Sequence, residues 1–353
     1  GVEIEDWLDS GQCRDCFIPS FNYRPGGSAQ YGMAISNFDE ENPKRFNFGF
    51  IASSDNHRAR PGTGYKEIDR FVTTEANGPS SEFVADTLYP KDEVKSESID
   101  LREGELLGLR AGFGAFEAER EASFFSTGGL AAVHSSGRDR NSIWKGLQRK
   151  ETYGTSGDRI LLWFDLVSED SVVPMGGNTE TSNNPVFRAK AVGAFKQKAG
   201  CPDYSSTNIS DQEIERICKN ECYNPSDERK IISRIEVIKV TPQTYEGENV
   251  DNLISDPWRV FACEPSQQGC EVEFSDEEFN SDARDASYYV RAIQEPSPAV
   301  NAGNLRCTYD DEGNCVEVNI CYGDNRTSRD DDCLVMSEER AWSSPIYLNY
   351  YNL

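Results

Sequence analysis

Asp55 and His57 stand two residues apart in Ser54-Asp55-Asn56-His57, directly after the apolar run Phe46–Ser53 (FNFGFIAS). A carboxylate and an imidazole at that spacing, just past a strand, can point into one site. Together they suit hard and borderline metals such as Mn²⁺, Fe²⁺ and Zn²⁺. A metal of this kind brings bound water close to neutral pKa and makes it a nucleophile. The competing reading is an Asp that caps a turn beside an incidental His, because D-x-H arises often by chance. Arg58 and Arg60 follow, then a Gly-rich loop and Lys66. Forked guanidinium hydrogen bonds could grip an anionic substrate group here. The alternative is that these cations pair with nearby carboxylates, the commoner use in an acidic chain.

Other residues offer weaker chemistry. His134 is the second of only two histidines and falls in the expected strand Gly129–Ser135 (GLAAVHS), where a satisfied rim histidine is the plainer reading. Cys13-x-x-Cys16 lacks the helix that a redox pair normally opens, and no second C-x-x-C completes a zinc ribbon. A local disulfide is the expectation. The acidic loops Asp310–Asn314 (DDEGN) and Asp330–Asp332 could hold Ca²⁺ but lack the full EF-hand spacing, so solvated turns compete. The sequons Asn208-Ile209-Ser210 and Asn325-Arg326-Thr327 matter only in a glycosylating host.

The elements that must position these residues change character near Gly157. Before it, Phe46–Ser53 reads as a buried strand, residues 75–115 as long loops, and 116–126 as a short helix. Asp139 predicts a capped helix through Lys150, with Ile143 and Leu147 on one face and a basic last turn. After it come short β-rich runs: Ile160–Leu166, Val186–Val192, Arg234–Val240, Trp258–Cys263 and Ser287–Ile293. One helix interrupts them, announced by the capping box Ser210-x-x-Glu213, with Ile214, Ile217 and Cys218 on one side. Cys218 and Cys222 are placed i,i+4 on that helix, each able to staple it to a neighbouring loop, Cys201 being one candidate. The strand-rich part predicts a β-sandwich with disulfide-closed loops.

Bulk properties bound the function. The chain has 353 residues, a length that favours two domains, and its aromatic content argues against disorder. A net charge of −25 repels nucleic acid, whose binding needs Lys and Arg to displace counterions, and anionic membranes for the same reason. No run of ~18 apolar residues is present to span a bilayer. Eleven cysteines, nine of them after residue 200 and many in close pairs, predict disulfides and an oxidising compartment. The count is odd, which leaves one cysteine free or paired outside this chain. The chain begins at Gly1, and the expectation is a secretion signal upstream.

Several segments resemble the bacterial "domain of unknown function 3604" family. They are GQCRDCF at 11–17, NFGFIASSDNHRARPGTGYKE at 47–67, GGLAAVHSSGRDRNSIWKGLQRKETYGTSGDRI at 128–160, YYVRAIQEPSPAVN at 288–301 and ERAWSSPIYL at 339–348. That family is similar to the polymerase-and-histidinol-phosphatase (PHP) metallohydrolases. The resemblance implies a distorted (β/α) barrel followed by a β-domain, with two or three metals at strand ends on the barrel's C-terminal face. It maps the family's last ligand motif, D-x-H, onto Asp55 and His57. The family's H-x-H and its middle His and Glu ligands lie upstream of the part that matches.

The expectation is therefore an α/β plus all-β chain. Residues 1–157 would be the C-terminal remnant of a PHP-like barrel, and 158–353 a disulfide-containing β-sandwich. The function implied is the C-terminal portion of a periplasmic or secreted metal-dependent hydrolase, acting on a phosphoester through metal-activated water. Zn, Mn or Fe would be held by Asp55 and His57, with Ca a further candidate. Arg58 and Arg60 would bind a small anionic substrate. A separate N-terminal chain could complete the site. The alternative is a non-enzymatic extracytoplasmic binding or cell-surface module.

Overall fold

The computed structural model describes residues 28–39, 44–52, 66, 68, 72, 129–168, 171–300, 307–312, 315–318, 328 and 330–351. Strands dominate. They are β1 (Leu130–Val133), β2 (Thr152–Thr155), β3 (Leu161–Val167), β4 (Val172–Pro174), β5 (Asn178–Thr181) and β6 (Val186–Val192). They continue as β7 (Ile232–Val240), β8 (Ile254–Ala262), β9 (Cys270–Ser275), β10 (Ala286–Gln294), β11 (Arg340–Ser343) and β12 (Ile346–Tyr350). Shorter two-stranded ribbons decorate the ends, such as Phe195–Gln197 with Pro225–Arg229.

These strands make two sheets. One is antiparallel, in the order β9-β6-β3-β4. The larger runs β8-β7-β10-β11-β2-β1. β12 also pairs with β10, and with β5 in parallel. β11 and β12 thus lie end to end along one edge of β10. The sheets share one apolar core. Phe164, Phe187 and Phe274 come from the four-stranded sheet, and Ile235, Tyr288, Val290 and Ile346 from the larger one. The Phe187 and Tyr288 rings meet across the interface, with centroids 4.7 Å apart. Burying such side chains contributes about 1.5–3 kcal/mol each and holds the layers together.

A third layer covers part of the larger sheet's other face. The short helix α1 (Ala29–Ala34) brings Met33 and Ala34 against Ile238, Val240, Tyr289 and Tyr347. Phe48 and Phe50 pack there too. The run Phe46–Ser53 was expected as a strand. Its described residues, Phe46–Ala52, are not one. The Phe48 N–H is bonded by the Tyr347 hydroxyl at 3.0 Å and the Phe50 N–H by Ser344 Oγ at 2.8 Å. Side chains thus take the place of a neighbouring strand's carbonyls.

The helices expected from the Asp139 and Ser210 caps both form. α2 (Arg140–Gln148) is capped by Asp139, whose Oδ1 accepts from the Asn141 and Ser142 N–H groups, each at 3.0 Å. Gly146 is the residue that buries, pressed on the His134 carbonyl, while Ile143, Trp144 and Leu147 stay 36%, 58% and 41% exposed. α3 (Asp211–Cys218) is capped by Ser210, but Glu213 turns to Arg216 instead of reaching back. Lys219 and Asn220 adopt left-handed backbone and end it. Cys222 therefore lies beyond the helix and not on its face.

The larger sheet runs across the boundary expected at residue 157. β1 and β2 precede it, yet β2 pairs with β11 and its Tyr153 lies in the shared core. The described residues of 1–157 join sheets and their covering layer and show no barrel. The expected helix at 116–126 and the loops at 75–115 fall outside the described residues.

Candidate functional site

Asp55, His57, Arg58 and Arg60 lie outside the described residues, but the chain on either side of them is fixed. On the upstream side, Ala52 packs against Gly154 of β2. A Cβ at Gly154 would come 2.8 Å from the Ala52 Cβ and 3.1 Å from its N, so only glycine admits this approach. On the downstream side, the Lys66 side chain is fully buried. Its Nζ donates to Glu221 Oε2 at 2.5 Å and to the Gly200 carbonyl at 2.8 Å. Lys66 therefore serves as a structural partner of a carboxylate.

Glu221 was not singled out by its sequence. Its carboxylate also accepts from the Gly200 N–H, at 3.1 and 2.9 Å to its two oxygens. Gly200 has φ +76°, which suits glycine. The Cys201–Cys222 disulfide closes the same loop.

His134 sits just past β1. Its N–H bonds the Glu151 carbonyl at 2.8 Å, and its Nε2 donates to the Leu162 carbonyl at 2.8 Å. The imidazole thus ties the larger sheet to β3 of the other. Around it stand Tyr153 and Trp163, with ring centroids 5.6 and 5.9 Å away. Burial raises the Asp165 pKa, while His134 and Arg188 oppose the shift.

A cavity of about 380 Å³ opens beside Lys66, lined also by Lys196, Lys230, Glu295 and Ser297. Three lysines suggest an anion. Each, however, already faces a carboxylate: Lys66 with Glu221, Lys196 with Glu228 at 3.3 Å, and Lys230 with Asp158 at 2.9 Å. Counting Glu295 with these three partners, four carboxylates stand against the three ammonium groups.

Among the described residues no group of three or more His, Cys, Asp or Glu could hold a metal. In the acidic loops, Asp310, Asp331 and Asp332 spend a carboxylate oxygen each on backbone N–H groups, those of Glu312, Cys333 and Leu334. The expectation of disulfides holds among the described cysteines. Cys263–Cys270 and Cys201–Cys222 are formed, and Cys333 is disulfide-bonded too. Cys218 is free. Cys13, Cys16 and Cys321 lie outside the described residues. Among those described, no helix is long and apolar enough to cross a membrane.

With the flanking anchors and α2 in place, the comparison with known families has a structural meaning. Residues 23–193 match the family described as Protein of unknown function (DUF3604). The match covers just under half of the chain and supports that family for it. The DUF3604 segment takes in Asp55 to Lys66, α2 and the strands through β6. It ends one residue past β6, so β7 to β12 lie beyond it. No curated protein and no solved structure matches this chain.

Proposed function

We propose that this chain is the C-terminal portion of a metal-dependent hydrolase of the phosphoesterase type, in which Asp55 and His57 are metal ligands. The observation that supports this most is the double anchoring of their segment, by Ala52 on Gly154 and by Lys66 on Glu221. Ligands for a catalytic metal must be held within fractions of an ångström, and anchoring both flanks favours that. The donor pair, one carboxylate and one imidazole, fits Zn, Mn or Fe. The bound metal would supply an activated water and stabilise developing negative charge. Two donors do not close a site, so the remaining ligands would come from chain not described here or from a separate N-terminal polypeptide. Arg58 and Arg60 would orient a small anionic substrate. The disulfides favour an oxidising, periplasmic or secreted setting.

A second reading is a non-enzymatic extracytoplasmic module. The outward apolar flank of α2, Ile143, Trp144 and Leu147, favours it, because such a stripe suits contact with another polypeptide. One experiment separates the two. Metal content and hydrolysis of a generic phosphomonoester are measured on the natural protein with any bound polypeptide retained. Under the hydrolase reading, Asp55→Ala and His57→Ala each lose metal and activity. Unchanged metal content in both variants removes the hydrolase reading.

A further inference from the structure

A surface helix ordinarily turns its apolar stripe to the core. α2 does the reverse. Gly146 lies against the sheet, where a Cβ would come 2.5 Å from the His134 carbonyl oxygen and 2.7 Å from Val133 Cγ2. Ile143, Trp144 and Leu147 stay exposed instead, Trp144 the most at 58%. Arg140 continues the same line. The four stand at i, i+3, i+4 and i+7, the spacing by which a helix anchors on another surface. Charge gathers around the stripe. Residues 138–150 hold five cations and one acid, in a chain of net charge −25. The acids at the two ends of the helix are already engaged. Asp139 caps it, and Glu151 accepts from Arg149 at 2.7 and 3.0 Å. Arg138, Arg140 and Lys145 are exposed and make no ion pair among the described residues. On the open face of the other sheet, by contrast, Arg188 and Lys190 each stand against a glutamate.

We propose that α2 is a docking ridge for an acidic amphipathic helix of another polypeptide. Apolar side chains of that helix cover Ile143, Trp144 and Leu147, and its carboxylates meet Arg138, Arg140 and Lys145. Charge selects this occupant. A second copy of α2 would set cation against cation, which opposes self-association through the ridge. A nucleic acid or an anionic bilayer extends far past the ridge and over the acidic remainder of the chain. A helix confines its carboxylates to the ridge, which is roughly 13 Å long for its nine residues. Three apolar anchors cover far less than the ~1,200 Å² at which standard stable interfaces begin, so the contact is a weak and reversible one. This inference rests on the module reading only in giving α2 a polypeptide partner, and it holds whether or not the chain carries a metal.

The test uses the whole 353-residue chain and a fluorescent synthetic helix, read by anisotropy. The peptide carries Leu at i, i+3, i+4 and i+7 with Glu on both flanks. Two further peptides replace every Glu by Gln or by Lys. At low salt the Glu peptide should bind at least ~10-fold more tightly than either, and the margin should close by about 1 M NaCl. Trp144→Ala should weaken it at least ~10-fold, as for a central tryptophan anchor, while Trp163→Ala on the other sheet should not. R140E/K145E should turn the preference over to the Lys peptide. These side chains are exposed, and melting curves confirm that each variant is folded. Absence of binding, or equal binding of the three peptides, would overturn the acidic partner. Indifference of the Glu peptide to Trp144→Ala would overturn α2 as its seat. Pelleting with phosphatidylserine vesicles, or a dimer in sedimentation velocity, would overturn it too if Trp144→Ala abolished either, by assigning the ridge to lipid or to a second copy. Equal binding of the Gln peptide through Trp144 would leave the module reading standing without the acidic partner. Metal content and phosphomonoester hydrolysis of the same variants test the hydrolase reading separately and should not change.

Discussion

β3 and β6 bury every second residue, whereas β7 and β10 bury residues on both faces. The contrast follows from what lies outside each sheet. The four-stranded sheet shows solvent a row of side chains including Trp163, Arg188, Lys190, Glu271 and Glu273. The larger sheet is covered over much of its outer face by α1, Phe48 and Phe50, and beside them by an ion network. In that network Glu236 joins Arg234 and Arg291, Arg291 reaches Asp256, and Arg234 forks onto Glu338. Arg234 in turn holds the Glu338 carboxyl below its ordinary pKa. A strand with one wet face alternates, and a strand covered twice does not. The motif Asp55-x-His57 follows Phe48 and Phe50 in the sequence, so the layer that breaks the alternation also leads to the candidate segment.

The sharpest way to break this comparison is to remove one aromatic from each outward face. Tyr289 points outward from β10, yet it is 4% exposed, meets Phe50 edge-on and receives a bond from Gln30 at 2.7 Å. Burial pushes its phenol up to about 12. Tyr289→Ala should cost ~3–5 kcal/mol in urea unfolding, the range for truncating a buried aromatic. Trp163 points outward from β3 and is 36% exposed. Trp163→Ala should cost only about 1 kcal/mol. Equal losses would mean that the third layer contributes nothing to the larger sheet.

A smaller effect should appear at the tie between the sheets. Asp276 follows β9 and is fully buried, and it accepts from Tyr288 at 2.6 Å and from Lys239 at 2.7 Å. Burial raises its pKa, but the bonds from Lys239 and Tyr288 outweigh that and leave it below the ordinary value. A depressed carboxyl contributes stability above the pKa it has when unfolded, near 4, and the contribution fades as pH falls through the folded value. Asp276→Asn should lose on the order of 1–3 kcal/mol at pH 7. Its stability should also fall less steeply than that of the parent below about pH 4, as linkage requires. Parallel acid limbs would exclude Asp276 as the source.

These contrasts show what a linear reading can carry. The strands Val186–Val192 and Ser287–Ile293 are legible from β-rich composition, and the Asp139 and Ser210 caps from side-chain chemistry. Cys263–Cys270 is legible because its partners are 7 residues apart across a turn. The third layer is not. Phe46–Ser53 has a strand's composition, but its backbone partners are the side chains of Tyr347 and Ser344, some 300 residues away. The inward face of α2 is not legible for a related reason. Periodicity finds Ile143 and Leu147, while close packing on His134 selects Gly146, which carries no hydrophobic signal. At the candidate site, Asp55 and His57 announce themselves by type and spacing. Lys66 does not announce Glu221, because an ion pair spanning 155 residues leaves no local pattern.

The ion network on the covered face should respond next. Glu236 is 9% exposed and compensates two arginines at once. Glu236→Gln keeps the shape and removes the charge, leaving Arg234 and Arg291 to their outer partners. Because both arginines keep some contact with water, the loss should be about 1–2 kcal/mol, below the range for a fully buried pair. A loss below ~0.5 kcal/mol would place this network with ordinary surface pairs.

The smallest effect belongs to the bare face. Arg188 meets Glu273 at 3.1 Å across the β6–β9 ladder, and both side chains are about half exposed, at 46% and 57%. Water and salt screen such a pair, and ordering two long side chains opposes it. Glu273→Gln should therefore cost ~0–0.5 kcal/mol at low ionic strength. The difference should vanish by about 1 M NaCl, where the Debye length falls to ~3 Å. Under the same salt the Glu236→Gln loss should largely persist, because ions do not enter a covered network. Measuring both variants across salt turns the comparison of faces into a slope. If the two slopes coincide, the layer built by α1, Phe48 and Phe50 does not shield the larger sheet from solvent.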